Sequence, residues 1–123
     1  MKVAKPKIYT ALLTLLIITG AATPVLADSD GDAAYAKMQN LSERASTAFD
    51  EASADYENGS YSSACSLFSE ASELYKSAIL ASLPVLFDSD YNHDEIENLN
   101  ETLQTSANDS RDNAETACKV AAE

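Results

Sequence analysis

Basic residues are scarce. After the first 27 positions only Lys37, Arg44, Lys76, Arg111 and Lys119 remain, against 20 acidic residues, which gives positions 28–123 a net charge of −15. A surface of that sign repels phosphate backbones and anionic lipid, so nucleic acid and membrane surfaces are excluded as favoured partners. Histidine is reduced to one, His93, inside an acidic stretch. No G-x-S-x-G nucleophile turn and no pair of residues at metal-ligand spacing accompanies it. His93 therefore reads as a solvated side chain, and the chain as non-enzymatic with no cofactor. Paired carboxylates are abundant only because the whole chain is acidic.

Cysteine is limited to Cys65 and Cys118. The N-terminus indicates an oxidising destination: Lys2, Lys5 and Lys7 precede an apolar run from Ile8 to Ile18, and small residues close the segment. That order is the pattern of a secretory signal peptide over residues 1–27, with Val25 and Ala27 at the cleavage-site positions. No cysteine follows the run and no arginine pair precedes it, which argues against a lipoprotein and against twin-arginine export. The alternative is an uncleaved anchor over Ile8–Leu26, although Gly20 and Pro24 interrupt it. The expectation is a secreted, periplasmic or extracellular protein with one domain over residues 28–123 and no membrane contact after cleavage. In such a compartment Cys65 and Cys118 pair by default; free thiols or an intermolecular bridge are the other readings.

What is present in quantity is helical periodicity. Ala34, Met38, Leu41, Ala45, Ala48, Ala52 and Tyr56 recur in steps of three and four, and predict a first helix over about 32–57. Asn58 and Gly59 break it. Ser60 is placed to cap a second helix over about 60–82, with Tyr61, Ala64, Phe68, Ala71, Tyr75 and Ala78 on one face and Leu67, Leu74 and Ile79 widening it. Pro84 disfavours continuation beyond that point. Asn92 and Glu95 have the spacing of a capping box, and Ile96, Leu99, Leu103, Ala107, Ala114, Ala117 and Ala121 predict a third helix over about 93–121. The fold class is all-α, a three-helix antiparallel bundle. Cys65 near the start of the second helix and Cys118 near the end of the third lie at one level only if those helices run antiparallel.

Gly59, Tyr61, Ala64, Phe68 and Ala71 form G-x-Y-x2-A-x3-F-x2-A, which resembles the turn and second helix of a tetratricopeptide repeat over about residues 48–76. That resemblance implies a helical hairpin contributing to a peptide-binding groove. Ala48, Glu51 and Asp55 stand where the family usually has tryptophan, leucine and tyrosine, and no second copy occurs.

Three further features bear on function. Asp88, Asp90, Asn92 and Asp94 alternate as in the first half of a calcium loop, but His93 replaces the glycine and Leu99 the final glutamate, which leaves at most a weak, non-EF-hand calcium site. Leu83, Val85, Leu86 and Phe87 form an apolar cluster at the hairpin tip, either a plug for the bundle end or a partner contact beside acidic residues that would favour a basic protein. Asn40, Asn58, Asn100 and Asn108 lie in N-x-S/T sequons open to glycan addition. Together these observations favour a secreted, non-catalytic helical interaction module that binds or inhibits another extracytoplasmic protein. A calcium-binding or salt-adapted acidic cell-surface protein is the alternative.

Overall fold

The computed structural model describes residues 30–123, which form three helices: α1 (Asp30–Glu57), α2 (Tyr61–Leu86) and α3 (His93–Ala122). The expected signal segment lies outside the described residues. The helices run antiparallel in sequence. Both α1 and α3 pack chiefly against α2, which is the central element, and they barely touch each other. Among the described residues no helix is long and apolar enough to cross a membrane.

The periodicity placed the core well. Met38, Leu41, Ala45, Ala48, Ala52 and Tyr56 are buried on α1, and Ala64, Phe68, Ala71, Tyr75 and Ala78 on α2. On α3 the buried set is Ile96, Leu99, Leu103, Ala107, Ala114 and Ala117, with Ser110 buried in the gap of the stripe. Much of this interior is alanine and serine, so the axes can approach closely and the few large side chains bridge the layers. Phe49 of α1 meets Phe68 of α2 edge-to-face, with ring centroids 5.2 Å apart, a favoured geometry for two aromatic quadrupoles. Tyr56 meets Tyr61 in the same way across the first turn, at 5.1 Å.

The turn between α1 and α2 follows from Gly59. Its φ of 87° lies in the left-handed region, which only a residue without Cβ enters at little cost. Ser60 N–H then reaches back to the Asp55 carbonyl at 2.8 Å and Gly59 N–H to that of Tyr56 at 3.1 Å. These are the paired bonds that satisfy the last carbonyls of a helix ending on glycine. Ser60 precedes α2 as expected, yet its side chain makes no capping hydrogen bond.

Helix α2 departs from the expectation at its far end. It does not stop near residue 82 but runs through Pro84 to Leu86. Proline forfeits one backbone donor and crowds the preceding turn. Val85, fully buried beyond it, supplies the packing that keeps the last turn helical. The chain then turns through Asp88–Asn92 into α3, where the Asn92 side chain accepts from Glu95 N–H at 3.1 Å. That is the N-cap half of the motif expected from the Asn92/Glu95 spacing.

Two polar ties cross the layers. The Tyr75 hydroxyl of α2 bonds the side chains of Ser46 on α1 and Ser106 on α3, and burial pushes its pKa up to about 12. Ser72 donates to the Ala107 carbonyl at 3.3 Å. Among the described residues no buried side-chain nitrogen or oxygen lacks a partner, as a close-packed polar interior requires.

Candidate functional site

The candidate residues of the sequence separate into three places. The first is the bundle end where α2 passes into α3. His93, the first residue of α3, is exposed; its Nδ1 lies 3.2 Å from the Leu86 carbonyl and its Nε2 3.2 Å from Oε2 of Glu97, one turn along. A charged imidazolium donates to both acceptors, whereas a neutral ring donates to one.

Of the four alternating residues of this loop, Asp88 and Asn92 accept hydrogen bonds within the fold, and Asp90 and Asp94 are exposed. Asp88 Oδ1 accepts from Asp90 N–H at 2.9 Å. The Asp88 carboxylate also covers the first turn of α1: a Cβ built at Gly31 would fall within 2.8 Å of three of its side-chain atoms. A carboxylate there complements the positive end of the helix dipole. Asn92 caps α3, and Asp94 sits in its first turn. Tyr91 is buried, stacks on Tyr35 with ring centroids 5.3 Å apart and donates its hydroxyl to Asp32. Burial, followed by this bond to a carboxylate, raises the Tyr91 pKa above its ordinary value. Among the described residues no group of three or more His, Cys, Asp or Glu side chains is arranged to hold a metal ion.

The second place is the apolar cluster. Val85 is fully buried and Leu86 half-buried, while Leu83 is 43% and Phe87 81% exposed. Val85, with Leu86 packed against the core beside it, closes this end of the bundle, whereas Phe87, the residue after α2, faces solvent. Leu80, at 67% exposure, belongs with the outward residues. Its spacing to Leu83 and Phe87, three and then four residues, was the signal for that face.

The third place is the pair Cys65–Cys118, joined with Cα atoms 4.8 Å apart. It ties the start of α2 to the end of α3, as the antiparallel arrangement requires. Of the sequon asparagines, Asn40, Asn58 and Asn108 are exposed. Asn100 is half-buried and donates from Nδ2 to Ser82 Oγ at 2.8 Å, so a glycan on that nitrogen would displace a bond between α2 and α3.

The HEPN domain family model matches residues 38–122, that is 85 of the 123 residues and nearly all of the three helices. The chain belongs to the HEPN domain family. No curated protein and no solved structure matches it.

Membership in the HEPN family corrects two expectations. The Gly59–Ala71 ladder is not a tetratricopeptide hairpin, since the HEPN match runs unbroken through the turn and on through α3. Phe68 and Ala71 serve the α1–α2 contact that any close helical hairpin needs, and the 28-residue α1 is far too long for that repeat. The reading as a secreted, non-catalytic interaction module gives way as well, together with its alternative of a calcium-binding or salt-adapted cell-surface protein. Acidity and an exported-looking N-terminus describe solubility and sorting, and neither identifies a domain's function.

Proposed function

We propose that the chain is a HEPN domain without ribonuclease activity of its own, a helical scaffold member of a family whose domains are often ribonuclease-like. Cleaving RNA by internal phosphoryl transfer needs a base at the attacking hydroxyl, an acid at the leaving oxygen and a positive group facing the phosphoryl oxygens. The observation that carries the proposal is the setting of His93. Its two ring nitrogens face a carbonyl and a carboxylate, and Asp94 and Glu95 follow it in the first turn of α3. Arg111 lies 18 residues further along the same helix, about 27 Å at the helical rise. The net charge opposes the approach of a polyanion.

Full-length protein incubated with end-labelled single-stranded RNA, with magnesium and with chelator, tests this. The expected result is no cleavage above that of the His93→Ala variant. Cleavage that disappears in His93→Ala would overturn the proposal. It would favour a second reading, in which His93 and Glu97, 3.2 Å apart, act as an acid–base pair held by the Leu86 carbonyl. That reading requires a bell-shaped pH–rate profile that loses one limb in Glu97→Gln.

A further inference from the structure

The seam between α1 and α2 carries two depressions, neither lined by a residue of α3. One, of about 510 Å³, is bounded by Ala34, Leu41, Leu80, Ala81 and Pro84, with Lys37 at its edge. The other, of about 490 Å³, is bounded by Glu43, Glu51 and Glu70 around Arg44, with Ala48 and Leu74 as its floor. Leu41 and Arg44 are one turn apart on α1, and Leu74 is one turn from Ser77, which also lines the first depression, on α2, so the two follow each other along the same α1–α2 groove. From Ala34 to Glu51 it spans 17 residues of α1, about 25 Å. Neither Arg44 nor any of the three glutamates makes an ion pair among the described residues.

A groove with a purely apolar floor would accept many occupants; this one has a polarity. One end offers the exposed Leu80, Pro84 and two alanines, and its lysine repels a basic group. The other offers three carboxylates to one guanidinium. The complementary object is a helix of four to five turns with an apolar stripe in one half and lysines or arginines in the other. A second copy of this chain fits poorly, because positions 28–123 carry a net charge of −15 and like charges at an interface oppose association. We propose that the α1–α2 groove docks such a helical segment of a partner protein, its apolar half over Leu80 and Pro84 and its basic half against Glu43, Glu51 and Glu70. This goes beyond the absence of ribonuclease activity, which it neither requires nor tests.

The test uses the full-length chain and a labelled synthetic peptide of 18 residues, leucines at helical spacing in one half and lysines in the other. Fluorescence anisotropy is expected to show saturable binding that weakens at least tenfold in Leu80→Asp and severalfold in Glu51→Lys, and that weakens with added salt. A peptide with glutamates in place of its lysines is expected not to bind. Both substituted positions are exposed, so circular dichroism should show the fold retained. No saturable binding, binding that both variants leave unchanged, or equal binding of the glutamate peptide would overturn the proposal. Self-association of the unliganded chain that Leu80→Asp abolishes would also overturn it and assign the groove to a second copy.

Discussion

Reduction of the Cys65–Cys118 bond removes a tie across 53 residues of chain. In the loop-entropy treatment a closure of that length restricts the unfolded ensemble by about 14 cal/mol/K, or about 4 kcal/mol at 25 °C. A domain of this size unfolds with an entropy of roughly 0.2 kcal/mol/K, so the melting temperature should fall by about 20 °C. The local packing makes the effect regional. The last turns of α3 bury only Ala114 and Ala117 as apolar side chains, and alanines contribute little transfer free energy. The end of α3 therefore depends on the bond more than its beginning, where Ile96, Leu99 and Leu103 are buried. Thermal unfolding followed by circular dichroism, with and without a dithiol reductant, measures the global loss. Amide exchange should show protection lost first from residues 110–122. A double Cys65→Ala/Cys118→Ala variant separates loss of the bond from any effect of the reductant. A fall in melting temperature below about 5 °C in both experiments, or a loss of protection no greater at residues 110–122 than at 96–103, would refute the reasoning.

Truncating the two neighbours at the end of α2 should give opposite results: Val85→Ala loses about 1–3 kcal/mol as a buried aliphatic side chain, whereas Phe87→Ala leaves the denaturant midpoint nearly unchanged. Gly59→Ala should cost about 1–2 kcal/mol in the same assay, since φ is 87° there and Cβ is strained in that region. Stability should decline between pH 10 and 12. Tyr75 is held protonated in the fold up to about 12, so the unfolded chain releases that proton first, near 10, and rising pH favours unfolding. Tyr75→Phe should flatten that decline in urea titrations at fixed pH, and an unchanged slope would count against it. Tyr56 and Tyr91, whose pKa values are also raised by burial, contribute in the same direction.

The spacing of apolar residues was enough to specify three helices, their buried faces and, with the two cysteines, their antiparallel order. Such information is local: a period of 3.6 residues, a glycine able to take positive φ, and an asparagine three residues before a free N–H each act within a few positions of chain. The end of α2 was decided by tertiary contact. Pro84 forbids one hydrogen bond, but burial of Val85 against the bundle outweighs that loss, and the same rotation turns Phe87 to solvent. Phe49 and Tyr91 fall outside the stripes read from the sequence, and their places in the core are fixed by Phe68 and Tyr35, residues 19 and 56 positions away. The alternating oxygen donors Asp88, Asp90, Asn92 and Asp94 were legible in the sequence as a spacing, which does not say what any of them already binds. In the fold Asp88 serves its own turn and the start of α1, and Asn92 serves the start of α3. The α1–α2 groove lies furthest from what the sequence could reveal: its apolar and acidic ends come from helices running in opposite directions, and only their packing sets Leu80 beside Ala34 and Glu70 beside Glu51.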